Sequence, residues 1–133
     1  MRAIADSGLI VSIWSQSDDR RHWARQWLAK ADLPLLTSVA NLHEAGWALG
    51  NHVYPIQMVI DGDLEIALDV QAEAHVLHGL MAAYGERMDL ADASIVRLSE
   101  LYPRAKVLTV DRKDFSIYRR FRRERIPCDF PPE

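Results

Sequence analysis

Four acidic residues, each in a short and distinctive context, are where this chain could do chemistry. They are Asp6 in Ile4-Ala5-Asp6-Ser7-Gly8, Glu44 in Asn41-Leu42-His43-Glu44-Ala45, Asp92 in Leu90-Ala91-Asp92-Ala93-Ser94, and Asp111 in Thr109-Val110-Asp111. Asp6 and Asp111 end apolar runs that read as buried strands, Asp92 opens a helix, and Glu44 sits inside one. Carboxylates at strand C-termini and helix starts of an α/β sheet can converge on one edge, where such sheets place their ligands. A cluster of oxygen donors with open positions suits Mg²⁺ or Mn²⁺.

Each acid also has a purely structural explanation. Asp6 can be a turn or helix-capping aspartate before Ser7 and Gly8. Asp92 follows Asp89 by three residues, so it falls at the N3 position of a capped helix, where a carboxylate stabilises by ~0.5 kcal/mol through the dipole. Asp89 is therefore an alternate to Asp92, as Asp114 is to Asp111. Thr109 lies two residues before Asp111 and so points to the same side, where its hydroxyl can orient Asp111 or a metal-bound water. Glu44, a mid-helix glutamate, is the weakest local signal.

The elements that must position these residues follow from the apolar spacing. Arg2–Ala5 reads as a first strand and Leu9–Trp14 as a short helix. Trp23, Ala24, Trp27, Leu28 and Ala31 keep helical spacing, with Asp18 and Asp19 at the helix start. Pro34–Thr37 is a second strand, and Ser38 caps a helix over Val39–Leu49 that Gly50 closes. Pro55 opens the next helix, and Leu64–Leu68 is either extended or one helical turn. Asp69 caps a helix carrying the stripe Val70, Ala74, Leu77, Met81, Tyr84. Asp89 caps Leu90–Leu101, and Lys106–Val110 is a third strand, apolar as a strand buried on both faces is. The segment from Asp111 to Arg125 reads as helical, with an edge strand near Ile126. Strands alternating with helices in this way predict an α/β fold with a mostly parallel sheet covered by helices.

Composition narrows the class further. The chain has 133 residues, 49% hydrophobic and 26% charged, which predicts one domain, residues 1–133, with a single core. A net charge of −3 argues against wholesale electrostatic binding of nucleic acid, though not against a local basic patch. Cys128 is the single cysteine, which excludes a disulfide within the chain and a thiolate metal cluster. Asp6 interrupts any signal-peptide core and no apolar run is long enough to span a membrane, so a cytoplasmic protein is expected. Neither a P-loop nor Gly-x-Gly-x-x-Gly occurs, so no nucleotide cofactor is indicated.

The order Asp–Glu–Asp–Asp, with Asp-Ser-Gly at the first strand end, Ala-Asp-Ala-Ser opening a late helix and Thr-x-Asp-x-x-Asp-Phe after the last apolar strand, resembles the PIN domain family over Ala3 to Phe115. That resemblance implies a three-layer α/β/α sandwich and a metal-dependent endoribonuclease. Asp6, Asp92 and Asp111 would hold Mg²⁺ or Mn²⁺, and Glu44 would complete the ligand set or help place a second ion. It further implies cleavage of RNA leaving a 5′-phosphate. Short single-domain members of this kind are VapC-type toxins, which form homodimers and are silenced by a small antitoxin protein. The alternative is a PIN-fold RNA-binding or interaction module without catalysis. A haloacid-dehalogenase-type phosphatase fails because position 8 is Gly, where that chemistry wants a second Asp. A receiver-like signalling domain fails because the second strand ends in Thr37-Ser38.

Arg112, Lys113, Arg119, Arg120, Arg122, Arg123 and Arg125 concentrate basic charge after Asp111, interleaved with Tyr118 and Phe121. They read either as an RNA phosphate-tracking surface with base stacking or as a solvated face balancing the acid-rich middle. Trp23 and Trp27 read as core, with a dimer interface as the minority reading. His75 and His78 have metal-compatible spacing but flank an apolar stripe, which favours surface histidines.

Overall fold

The computed structural model describes residues 1–133. Its elements in chain order are β1 (Ala3–Ala5), α1 (Ser7–Trp14), α2 (Arg21–Lys30), β2 (Leu35–Thr37), α3 (Val39–Leu49), α4 (Val53–Ile60) and β3 (Leu64–Ile66). There follow α5 (Ala74–Tyr84), α6 (Leu90–Leu101), β4 (Lys106–Leu108), α7 (Arg112–Ile117), β5 (Arg119–Arg120), β6 (Glu124–Arg125) and β7 (Cys128–Asp129). Five strands form one sheet in the order β3-β2-β1-β4-β7, and every neighbouring pair is parallel. β5 and β6 form a separate antiparallel pair. The expected α/β class with a parallel central sheet is what the chain adopts.

Strand alternation divides the core into two. Ala3, Ala5, Leu35 and Leu108 face a cluster built with Leu9, Ile10, Trp23, Trp27 and Met58 of α1, α2 and α4. Ile4, Leu36 and Val107, one residue out of phase, face Leu77 of α5, Ile95 and Leu98 of α6, and Phe115 and Tyr118. Side chains one apart on a strand point to opposite faces, so these two- and three-residue runs serve both layers. Helices cover both faces of the sheet, an arrangement compatible with a three-layer sandwich.

Two helices follow their sequence signals to the residue. The Ser38 hydroxyl accepts from Asn41 N at 3.2 Å and caps α3, while Asp89 Oδ1 accepts from Asp92 N at 2.8 Å and caps α6. Other aspartates cap something smaller than the helix expected of them. Asp69 Oδ1 accepts from Gln71 N and Ala72 N, which closes a turn, and α5 starts only at Ala74. Asp18 accepts from Arg20 N and from the Ser12 hydroxyl, which pins the turn between α1 and α2, and α2 starts at Arg21. α4 begins two residues before Pro55. Leu64–Ile66 resolves as a strand paired with β2.

The charged segment after Asp111 differs most from its helical expectation. Only Arg112–Ile117 is helical, and the chain then makes the β5–β6 hairpin before β7 joins the sheet beside β4. Phe121 and Arg122 occupy the left-handed backbone region, with φ of 50° and 70°, to make the tight turn. Glu100 Oε2 accepts from Phe121 N at 2.7 Å and helps to hold it. β7 is fastened from the opposite layer, because Trp23 Nε1 and Trp27 Nε1 both donate to Asp129 Oδ2, at 2.8 and 2.6 Å. The two indoles are thus core residues with a polar task. No helix is long and apolar enough to cross a membrane.

Candidate active site

β1 and β4 are adjacent and parallel, so the residues that follow them leave the sheet at the same edge. Asp6 comes directly off β1 and caps α1, accepting from Ser7 N at 2.8 Å. Its carboxylate is nearly buried and fully bonded: Asn41 Nδ2 donates to Oδ1 at 3.0 Å, and Thr109 Oγ1 donates to Oδ2 at 2.7 Å. Thr109 Oγ1 in turn accepts from Asp111 N at 3.1 Å, which ties the end of β4 to the end of β1. Asp111 caps α7, its Oδ1 accepting from Asp114 N at 3.0 Å.

Asp92 reaches this edge from the first turn of α6. The buried Tyr118 places its hydroxyl 2.8 Å from Asp92 Oδ2 and 2.7 Å from the Arg87 carbonyl oxygen, two acceptors within reach of its single proton. Glu44, exposed on α3, accepts a short hydrogen bond from the Ser7 hydroxyl, immediately beside Asp6. The four acids named from sequence therefore arrive at one edge from four different elements.

Their electrostatics record burial first and crowding second. Burial pushes the Asp6 carboxyl up to about 6, opposed by the Thr109 and Ser7 hydrogen bonds and reinforced by the charges of Glu44 and Asp111. Asp92 is pushed up to about 7, again mainly by burial, with Asp89, Asp6 and Asp111 adding repulsion and Tyr118 opposing. Asp111 is raised by burial and by its neighbour Asp114. Among the eight ion pairs of the chain, none involves Asp6, Glu44, Asp92 or Asp111, and the one nearby cation that acts on them is Lys113, which opposes the rise at Asp111. Asp114, by contrast, pairs with Arg87 at 3.0 Å, which separates it from Asp111 in role. Asp89 is occupied as the α6 cap.

No group of three or more His, Cys, Asp or Glu side chains stands ready to hold a metal ion. The hydrogen bonds explain this: Asp6 is turned to Asn41, Ser7 and Thr109, Asp92 to Tyr118, and Asp111 to the α7 backbone. The donor chemistry nonetheless fits a hard cation. These are oxygen ligands of like charge without a counter-ion, and Mg²⁺ keeps several waters and takes only one or two carboxylates directly.

The basic residues separate into groups. Arg112 and Lys113 are exposed in the first turn of α7, next to Asp111, and Arg112 donates to Pro131 O at 3.0 Å and pairs with Glu133 at 3.4 Å. Arg119 Nη1 is taken by the carbonyls of Ser116, Ile117 and Tyr118, at 2.9, 3.1 and 3.1 Å, and closes the end of α7. Arg120, expected on an RNA surface, is buried instead. Its Nη1 donates to Ser99 O at 2.9 Å and Pro103 O at 3.0 Å, and its Nη2 to Glu124 Oε1 at 2.6 Å. Ser99 is seven residues beyond Asp92 on α6, roughly 10 Å along the axis. Arg122 and Arg123, exposed in the adjoining turn, belong to that far end rather than to the acidic edge. Arg120→Ala is expected to lower stability by about 2–3 kcal/mol, since hydrogen bonds from a charged donor to buried carbonyls are lost. Urea denaturation checks this, with RNA affinity as the control. An unchanged midpoint with weakened RNA binding would return Arg120 to the phosphate surface.

Two partners of the acids were not visible as such in the sequence. Asn41 is fully buried, and its signal is its place on the α3 face that also carries Ala45. Tyr118 sits in an arginine-rich stretch that suggested base stacking, whereas it is buried under Asp92 and its ring meets Phe115 and Tyr84 edge-on. No protein-family model matches the chain, and no curated protein matches it.

Proposed function

We propose that this chain is a Mg²⁺- or Mn²⁺-dependent endoribonuclease of PIN-like fold. The observation that carries the reading is the meeting of Asp6, Glu44, Asp92 and Asp111 at one sheet edge without a cation paired to any of them. Carboxylates of like charge, partly desolvated, cost stability unless a cation joins them. Asp6, Asp92 and Asp111 would hold the ion, directly or through water, with Glu44 at the rim. When bound, the ion supplies a more acidic water and neutralises the charge that grows on a scissile phosphate.

The protein's own groups prepare that edge. Thr109 and Asn41 hold both Asp6 oxygens in place, and the Tyr118 hydroxyl orients Asp92 from beneath. The N-termini of α1 and α6 open toward the same edge, and their dipoles favour an anionic phosphate there. Lys113 stands beside Asp111 to meet the flanking backbone of an RNA strand, next to Arg112, whose guanidinium is engaged by Pro131 and Glu133. A toxin role, with a homodimer held in check by a small antitoxin, goes with the same reading. It draws support from the exposed Val53, Ile56 and Ile60, which form one apolar stripe along α4.

Calorimetric titration of the purified protein with Mn²⁺ tests the proposal without a guess at the substrate. Saturable binding to the wild type, lost in Asp92→Asn, is expected. No binding to the wild type, alone or with RNA present, would favour the non-catalytic module.

A further inference from the structure

We propose that the groove between α3 and the start of α6 seats an unpaired base of the substrate RNA, stacked on Trp47. This rests on the nuclease reading above and adds to it the residue that receives the strand. The groove is shallow and open to solvent, about 630 Å³ in volume, and is bordered by Val39, His43, Glu44 and Trp47 on α3, and by Asp89 and Leu90. Helical spacing sets the α3 residues on one face. The Trp47 side chain is 76% exposed, so its ring is free on the protein surface and contributes little to the core.

Charge and position select the occupant. The carboxyl side chains on the groove are those of Glu44 and Asp89, and no lysine or arginine lines it. A phosphate is repelled from such a wall, whereas a flat uncharged ring is not. The groove is also continuous with the acidic edge. Glu44 takes the Ser7 hydroxyl beside Asp6, and Asp89 caps the helix that carries Asp92. A strand whose phosphate reaches the acids therefore brings a neighbouring base over the indole. Every base has a π-face, so stacking of this kind accepts single strands and rejects paired ones, whose bases are already stacked.

The test uses the Asp92→Asn protein, so that binding is read without cleavage, and a short fluorescein-labelled single-stranded RNA of mixed sequence. Trp47→Ala in that background should weaken binding about tenfold, as removal of an aromatic stacking platform does. Trp47→Phe should recover most of the affinity. The slope of log affinity against log salt should stay the same, because no phosphate contact is lost. Affinity within twofold of the parent in Trp47→Ala would overturn the proposal. So would conversion of a dimer to a monomer by Trp47→Ala with RNA affinity unchanged, which would assign the groove to a second copy of the chain. If Trp47→Ala in the otherwise wild-type protein binds and cleaves normally while Asp92→Asn abolishes cleavage, the base seat fails and the nuclease reading stands. If the parent binds neither Mn²⁺ nor RNA, both fail.

Discussion

Asp92→Asn and Asp6→Asn are each expected to abolish the proposed RNA cleavage while keeping the native fold. The expected loss is on the order of a thousandfold or more, the scale set by removing a group that stabilises transition-state charge. Asparagine has the shape of aspartate, so the surrounding bonds largely survive. At position 6 its oxygen still accepts from Asn41 Nδ2 and Ser7 N, and its amide can donate to the Thr109 hydroxyl that previously donated to it. At position 92 the oxygen still accepts from Tyr118. What changes is the charge and the capacity to ligate a cation. End-mapping of products from a pooled RNA substrate measures the effect. Wild-type cleavage in either variant would remove that residue from the ligand set.

The second large effect concerns stability in chelator. The wild type should be more stable near pH 5 than near pH 8, the reverse of the behaviour of salt-bridged carboxylates. The sign follows from the direction of the shifts. Asp6 ionises near 6 in the folded protein and near 3.8 when ordinary, so the folded state holds its proton more tightly. Its favourable contribution is full below about pH 4 and is lost as pH rises through about 6. The buried Asp6 shift corresponds to about 3 kcal/mol between those limits. Asp92 acts in the same sense up to about 7, more weakly than its shift suggests because it is partly exposed and screened. Urea melts across this range in chelator measure the slope, which Asp6→Asn should flatten. Excess Mn²⁺ at pH 8, at about a hundred times its dissociation constant, should restore about 2.7 kcal/mol. A flat profile in the wild type would mean that folding does not raise the Asp6 and Asp92 carboxyls.

Helix bounds were legible in sequence where one side chain settles them. Ser38 and Asp89 each present an acceptor to the N3 amide at the head of a long apolar pattern, and α3 and α6 begin where they say. Asp18 and Asp69 carry the same chemistry but satisfy it in turns, since an acceptor two or three residues back serves a turn as well as a helix. The hairpin of β5 and β6 was not legible, because Arg120 is held there by carbonyls of α6 and Pro103, contacts that local pattern does not encode. The convergence of the acids was legible only in outline. That Asp6 and Asp111 end strands could be read locally. That those strands are neighbours depends on a crossover of about a hundred residues, and Tyr118 under Asp92 depends on tertiary packing alone.

Parallel pairing across such distances has a temporal side. β4 lies between β1 and β7, and β7 is joined to it through only two residue pairs, Val107 with Cys128 and Leu108 with Asp129. Until β7 docks, β4 is a bare edge of the sheet, open to pairing with a strand of another chain. The docking of Asp129 against the two indoles of α2 closes that edge to the strands of other chains.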